Sequence, residues 1–253
     1  MEPVLKAENL TKVFSRRGQR GFTAVNHISF SLMPGECLGI IGESGSGKTT
    51  VVNMITRLLD ATEGNIVLDA EDITHIRGTR LRKAYRKMQM VFQTPTDSFD
   101  PRRRLGDGIG ESLRNNGMRD TKQEVERLLK MCGLSAGFAS RYPHQVSGGQ
   151  CQRAAIARAI AIKPKLLICD EATSALDVTI QKEILGLLNE LRRQHGEGLS
   201  ILFICHDIAL VQEFCDRVLV MYHGDIVEQG TPDEVIRNPQ NDYTKRLINS
   251  VLQ

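Results

Sequence analysis

Apolar and polar residues follow two different periods along this chain, and the changes of period predict its strands and helices. Partial alternation predicts strands at 6–14 and 27–32, with a turn at 33–36. Short, mostly apolar runs predict strands at 37–41, 65–68, 88–92, 165–169, 200–205 and 217–221. Helical spacing of apolar residues predicts helices at 49–59, 122–131, 150–162, 178–193 and 208–215.

The order of these elements predicts a fold class. Strands that alternate with helices form parallel sheets, because parallel strands need a long crossover connection. We therefore expect an α/β core, with the helix-rich segment from about 94 to 164 inserted into it as a helical subdomain. The length of 253 residues and the absence of an internal repeat favour a single domain over 1–253.

Composition and charge exclude several classes of function. The chain has 33 Lys and Arg against 30 Asp and Glu, with 5% aromatic residues and no Trp. A dedicated nucleic-acid-binding protein is strongly basic, so we expect no nucleic-acid partner. No apolar run reaches the roughly 18 residues that span a bilayer, and the N-terminus lacks a secretory pattern. The six cysteines form no CxxC pair, so we expect reduced structural thiols in a cytosolic protein, rather than disulfides or metal ligands.

A glycine-rich segment follows the apolar strand at 37–41 and precedes a predicted helix. It reads G-E-S-G-S-G-K-T and matches the phosphate-binding pattern G-x-x-x-x-G-K-[ST]. Its backbone N–H groups would surround phosphate oxygens, Lys48 would reach the β- and γ-phosphates, and Thr49 would ligate Mg²⁺. A glycine-rich turn that matches by chance is the alternative, which the flanking strand and helix disfavour. The candidate nucleotide-binding residues are Gly42, Glu43, Ser44, Gly45, Ser46, Gly47, Lys48, Thr49 and Thr50.

Polar side chains stand at the ends of three other predicted strands. Asp170 and Glu171 follow the strand at 165–169, His206 follows 200–205, and Gln93 follows 88–92. Ligands bind at the carboxyl ends of strands in parallel sheets, so these side chains should lie near the phosphates. Asp170 is suited to Mg²⁺, Glu171 to activating a water as general base, and His206 to a γ-phosphate contact. Gln93 could contact Mg²⁺ or that water. The simpler alternatives are a surface turn or helix start for Asp170 and Glu171, and a structural role for His206.

A second candidate anion site lies in the helix-rich segment. Ser147, Gly148, Gly149 and Gln150 precede or open a predicted helix, whose N-terminal N–H groups would attract a phosphate. One nucleotide does not need two such cradles in one domain. A two-fold dimer that places this cradle over the partner's glycine-rich loop would use both.

These motifs, in this order, resemble the ATP-binding cassette (ABC) family of transport ATPases. The resemblance implies a P-loop NTPase with a RecA-like core, an antiparallel β subdomain and an inserted helical subdomain. It also implies roles for the segments already quoted: 42–49 as Walker A, 146–150 as the family signature (with Val146 where Leu is commoner), 166–170 as Walker B, and Gln93 as the Q-loop. Glu171 would be catalytic and His206 the switch histidine, while 174–177, ending in Asp177, resembles the D-loop. Phe14 resembles the aromatic residue that stacks on adenine, and its alternative is a core strand residue.

Four further segments, 93–102, 142–144, 220–228 and 238–247, resemble the oligopeptide, dipeptide and nickel importer branch of this family. The chain departs from that branch at Asp100, where Asn is common, and at Asp242, where Pro is usual. The resemblance implies ATP and Mg²⁺ as cofactors, and peptides, nickel or metal-chelate solutes as cargo. The cysteine-rich segment that some members carry is absent up to Gln253, so we expect no iron–sulfur cluster.

The resemblance also implies partners and a location. They are a second ATPase subunit, identical or paralogous, two transmembrane permease subunits and, indirectly, an extracytoplasmic substrate-binding protein, with this chain peripheral at the cytoplasmic face of the membrane. Basic segments 80–87 and 102–104 could contact permease or lipid, or form a solvated basic face. A soluble ABC ATPase, an exporter subunit and a regulatory module without turnover are the alternatives.

Overall fold

The computed structural model describes residues 2–15, 21–172, 176–194 and 198–251. Its strands are β1 Leu5–Phe14, β2 Phe22–Leu32, β3 Cys37–Ile41, β4 Glu63–Leu68, β5 Glu71–Asp72, β6 Met88–Val91, β7 Leu166–Asp170, β8 Ser200–Ile204, β9 Arg217–Tyr222 and β10 Asp225–Gly230. Its α-helices are α1 Lys48–Ile55, α2 Gly78–Lys87, α3 Leu105–Asn115, α4 Lys122–Met131, α5 Gly148–Ile160, α6 Val178–Gln194, α7 Ile208–Phe214, α8 Pro232–Arg237 and α9 Asp242–Val251.

The strands form two sheets in the described part of the chain. The order β2-β1-β4-β5 makes a four-stranded antiparallel sheet, and β10-β9-β3-β8-β7-β6 makes a six-stranded sheet. In the larger sheet β6, β7, β8, β3 and β9 run parallel, and β10 returns antiparallel to β9 through a short hairpin. The α/β core and the separate antiparallel sheet predicted from the sequence are therefore confirmed.

The central strands β3, β7 and β8 of the larger sheet are buried on both faces, because each face packs against a different layer. In β3, Cys37 and Ile41 belong to a core shared with α5, α6 and α7, whereas Leu38 and Ile40 belong to a core shared with α1 and the antiparallel sheet. A strand covered on both faces has no polar side, which is why these segments read as uninterrupted apolar runs.

Between β6 and β7 the chain is helical and contains no strand. Leu105 and Ile109 of α3, Leu128 of α4 and Ile156 of α5 belong to one buried cluster. The same cluster includes Cys37 and Ile41 of β3, so the helical unit at about 94–164 stays a prediction.

Several elements differ from the sequence-based expectation. Helix α1 ends at Ile55 rather than near Leu59, because Arg57 takes a left-handed backbone angle (φ 59°) that no helix continues through. Helix α2 was not predicted: Leu81, Ala84 and Tyr85 do follow helical spacing, but only Ala84 is buried and the segment was interpreted as a basic run. Strand β10 and helices α3, α8 and α9 were also missed.

All six cysteines are buried free thiols. Burial raises the pKa of Cys132, Cys169 and Cys205 to about 12, so these thiols stay neutral near pH 7 and pack as small apolar side chains.

No helix in the described ranges is both long enough and apolar enough to span a lipid bilayer.

Candidate functional site

The order of the larger sheet brings the predicted motifs to one edge. Strand β3, which leads into the glycine-rich loop, lies beside β8, and β8 lies beside β7. All three strands are parallel, so their carboxyl ends place the loop, His206 and the Asp170–Glu171 pair side by side. Strand β6 follows β7 in the sheet and carries Gln93 two residues past its end.

The glycine-rich loop wraps around the first turn of α1, and its shape requires glycine. Gly47 precedes the helix at φ 110°, in the left-handed region that a side chain disfavours. A Cβ atom on Gly47 would lie 2.6 Å from the carbonyl oxygen of Ala24, and one on Gly42 would lie 2.2 Å from that of Met221. The loop is thus packed directly against neighbouring backbone.

Lys48 is buried at the start of α1, and its ammonium lies inside this loop. Its Nζ atom donates hydrogen bonds to the carbonyl oxygens of Gly42 (2.7 Å) and Glu43 (2.8 Å). Burial lowers the pKa of Lys48, and the negative charges of Glu171 and Asp170 partly oppose that effect. The ammonium of Lys48 therefore lies inside the loop, where it could exchange the carbonyl oxygens for the oxygens of a bound phosphate.

Glu171 and His206 are in direct contact, Nε2 of the imidazole against Oε1 of the carboxylate. The carboxylate is 17% exposed and the imidazole 43% exposed, so both can reach solvent at the sheet edge. Glu171 has a left-handed backbone angle, φ 49°, and its N–H donates to the carbonyl oxygen of Ile204 at 3.0 Å. That hydrogen bond continues the β7–β8 ladder one residue beyond the end of β7.

Asp170 is the residue best suited to a cation. Burial raises its pKa, and the neighbouring charge of Glu171 raises it further. Its buried Oδ1 atom has no hydrogen-bond partner among the described residues, although a buried carboxylate oxygen ordinarily has one. The described residues contain no cluster of three or more His, Cys, Asp or Glu that could hold a metal ion. The unpartnered Oδ1 of Asp170 is a hard oxygen donor and fits Mg²⁺, which is bound by one or two protein oxygens together with phosphates and water.

A cleft of about 260 Å³ opens over the loop. It is lined by Phe14, Phe22, Ala24, Ser44, Gly45, Gly47, Lys48, Thr49, Thr50, Glu171 and His206. Most of the predicted Walker A residues therefore line the same cleft as Glu171, His206 and Phe14. Phe22 was missed by the sequence reasoning, which weighed only Phe14. Phe14 and Phe22 are opposite each other in the register of β1 and β2, and both are exposed, at 44% for Phe14 and 65% for Phe22.

Other predicted site residues lie outside the lining of this cleft. Ser147 begins α5: its Oγ accepts from the Gln150 N–H (3.3 Å), while the Gln150 side chain accepts from the Ser147 N–H (3.1 Å). Gly148 is exposed beside this cap, and a Cβ atom on Gly149 would lie 2.7 Å from Ile180.

Three further candidates have different surroundings. Asp177 begins α6, and its Oδ1 accepts from the Ile180 N–H at 3.0 Å. Gln93 is exposed. Ser174, the first residue of the predicted D-loop, lies outside the described residues.

The glycine-rich loop surrounds a buried lysine and lies beside two carboxylates at the end of a parallel strand. This arrangement defines the P-loop class of nucleotide-binding proteins. Within that class, the model of the ABC transporter family matches residues 25–174. The chain therefore belongs to the ABC transporter family, and it has the architecture of that family's ATP-binding cassette.

Two curated relatives are transport ATP-binding proteins. The chain is 44% identical over 232 residues to the oligopeptide transport ATP-binding protein OppF of Salmonella typhimurium, covering 90% of this chain and 69% of that protein. It is also 44% identical to the glutathione import ATP-binding protein GsiA of Escherichia coli K12, covering 99% of this chain and 41% of that protein. The chain thus spans less than half the length of GsiA.

Two solved structures share the fold. One is the dimeric ATP-binding cassette MJ0796 in a post-hydrolysis state with ADP and Pi, at 30% identity and a TM-score of 0.79, over 90% of this chain and 98% of that one. The other is cbiO1 of Clostridium perfringens, part of the transporter complex cbiONQ, at 29% identity and a TM-score of 0.81, over 100% and 96% of the two chains.

Proposed function

We propose that this chain is an ATP-hydrolysing subunit that energises the import of a small peptide or peptide-like solute. The names of the relatives OppF and GsiA support import and this class of cargo. The observation that supports hydrolysis is the contact between Glu171 and His206. Both side chains line the same cleft as Lys48 and the glycine-rich loop. A binding module without turnover would not need a carboxylate held at that point.

In the proposed reaction a water attacks the γ-phosphorus of ATP. The new bond forms from the water oxygen, the bond to the β,γ-bridging oxygen breaks, and Glu171 accepts the proton of the water. His206 orients Glu171 and contacts the γ-phosphate. Lys48 leaves the carbonyl oxygens of Gly42 and Glu43 for the β- and γ-phosphates, where its charge offsets the charge that develops in the transition state.

Mg²⁺ would be held by the Thr49 hydroxyl and the unpartnered Oδ1 of Asp170, with Gln93 as a further oxygen ligand. When bound, the cation neutralises the β- and γ-phosphate oxygens. For the adenine ring we propose Phe14. The ammonium of Lys12 lies 5.3 Å from the centroid of that ring, so the base would stack on the opposite face.

The signature residues 147–150 would act on the nucleotide of a partner subunit. They lie outside the lining of the cleft in their own chain, which supports a head-to-tail dimer with two ATP molecules between the subunits. The relative MJ0796 is described as dimeric. Asp177, which begins α6 close to this surface, would take part in the same contact.

The permease subunits would dock on the face formed by α2 and α3. A cavity of about 530 Å³ there is lined by Arg82, Tyr85, Arg86, Gln89, Ser112, Asn115, Asn116 and Ile162. The basic residues of the run 80–87 have two kinds of surroundings. Arg80 and Lys87 form ion pairs with Glu71, and Lys87 also forms one with Asp69. Arg82 and Arg86 line the cavity. A permease segment with acidic or carbonyl groups would suit that wall, and the chain would be peripheral at the cytoplasmic face of the membrane.

The test of hydrolysis is Glu171→Gln. We expect ATP binding to persist and steady-state phosphate release to fall by at least tenfold, because glutamine keeps the size of the side chain but cannot accept the proton. Phosphate release and binding of a fluorescent ATP analogue are measured on the same preparation.

Glu213→Gln is the matched control. Glu213 is an exposed carboxylate on α7, the helix that follows His206 in the chain. It should leave turnover unchanged. Near-normal turnover in Glu171→Gln would contradict the role of Glu171 as general base.

A further inference from the structure

The segment 238–247 near the C-terminus has no part in the proposed reaction, yet it is firmly attached to the core. Glu228 of β10 accepts hydrogen bonds from the backbone N–H groups of Gln240 (2.7 Å) and Asn241 (3.1 Å). The Asn241 side chain then accepts from the N–H of Tyr243 at 2.8 Å, at the start of α9. One carboxylate and one amide thus fix the direction in which α9 leaves the sheet.

This attachment directs the Tyr243 side chain to the glycine-rich loop. Tyr243 is buried (4% exposed), and its ring stacks on Tyr222 at the end of β9, with centroids 4.0 Å apart and planes inclined by 27°. Its hydroxyl oxygen accepts a hydrogen bond from the backbone N–H of Glu43 at 3.0 Å. Tyr243, 200 positions from Glu43 in sequence, therefore contacts the second residue of the Walker A segment, which is Glu43 itself.

The peptide unit between Gly42 and Glu43 is consequently held on both sides. Its N–H donates to Tyr243, and its carbonyl oxygen accepts from Nζ of Lys48 at 2.7 Å. When Lys48 moves to a phosphate, the Lys48 hydrogen bond is lost and the bond to Tyr243 still orients the peptide. The loop is also held farther along, where the carbonyl oxygen of Ser46 accepts from the N–H of Gly224 at 2.9 Å.

We propose that Tyr243 is a positioning residue for ATP, whose hydroxyl holds the Gly42–Glu43 peptide in the orientation that the triphosphate requires. Packing alone would be satisfied by phenylalanine. The hydroxyl adds what phenylalanine lacks, an acceptor for the N–H of Glu43, in a partly buried hydrogen bond of 3.0 Å. This inference rests on the proposed ATPase function.

The test is Tyr243→Phe in the full chain, which removes the acceptor and keeps the stacked ring. The hydrogen bond acts on bound ATP before and during the reaction alike, so we expect KM for ATP to rise about three- to tenfold while kcat stays within about twofold. Amide hydrogen exchange over residues 42–46 should become faster. A variant that was merely destabilised would lose active protein, and therefore kcat, without this change in KM.

Tyr222→Phe is the matched control, because it removes a hydroxyl from the same ring pair without touching the bond to Glu43. Its KM and its exchange rates should equal those of the wild type. A KM and an exchange rate in Tyr243→Phe equal to those of Tyr222→Phe would overturn the inference and leave the proposed function intact. A wild-type chain that neither binds nor hydrolyses ATP would instead overturn the proposed function, and this inference with it.

Discussion

Glu171 shows how one residue's backbone serves the site. A left-handed φ is unfavourable for a residue with a side chain, at about 1–2 kcal/mol, and such residues concentrate at functional sites. Glu171 has such an angle, 49°, one residue beyond the end of β7, and its N–H still donates to the carbonyl oxygen of Ile204 in β8. Its carboxylate is in contact with His206, which follows the end of β8.

The two rings at the mouth of the cleft allow a test of base stacking. We expect Phe14→Ala to weaken ATP binding by about 1–3 kcal/mol, the usual loss when an aromatic platform under a base is removed. Phe22→Ala should have a smaller effect, because that ring is the more exposed of the two. Titration with a fluorescent ATP analogue measures both.

Phe14→Tyr, which keeps the ring, serves as the control and should bind like the wild type. Loss of affinity in Phe22→Ala with none in Phe14→Ala would mean that Phe22 is the stacking residue.

At the scale of the elements, the ends of helices hold much of the local chemistry. Helix α8 begins with a reciprocal pair: the Thr231 hydroxyl accepts from the Glu234 N–H, and the Glu234 carboxylate accepts from the Thr231 N–H at 2.9 Å. The backbone hydrogen bond from Thr231, followed by the interaction with its side chain, lowers the pKa of Glu234. The folded protein therefore favours the charged carboxylate.

This pair predicts a pH dependence with a definite sign. A carboxyl whose pKa is lowered by folding contributes stability above its ordinary value of 4.5 and loses that contribution as the pH falls through the lowered pKa. Glu234→Gln keeps a hydrogen-bonding side chain that cannot titrate. We expect the unfolding free energy of the wild type to decline relative to this variant below about pH 4.5, as measured by urea unfolding. Parallel pH profiles for the two proteins would contradict the prediction.

At the scale of the whole molecule, the two predicted phosphate cradles do not share one cleft, because neither Ser147 nor the N-terminus of α5 lines the cleft over the glycine-rich loop. In the proposed head-to-tail dimer, a second copy or a paralogue would complete each site.

The test of that assembly is Ser147→Arg, which places a large cation where the partner's nucleotide would lie. In an otherwise wild-type chain we expect loss of the ATP-dependent dimer and at least a tenfold fall in turnover, measured by light scattering and phosphate release. Ser140→Arg, at an exposed serine in the same helical segment, should keep both. Normal dimers in Ser147→Arg would contradict the shared site.

The sequence by itself determined the family, the α/β core and the local motifs. These features depend on neighbouring residues: the loop at 42–49 needs its glycines, and strands buried on both faces need uninterrupted apolar runs. Lys48, Asp170, Glu171 and His206 could therefore be named before any coordinates.

Only the tertiary structure decided which of the motifs share one cleft, and which residues without a role predicted from the sequence contact them. Phe22 enters the cleft because β2 pairs with β1, and Tyr243 reaches Glu43 because Glu228 and Asn241 direct the start of α9. An aromatic side chain has no sequence signal that distinguishes a core position from a contact with a distant loop. Such contacts follow from long-range packing, which fixes direction and distance that local spacing does not encode.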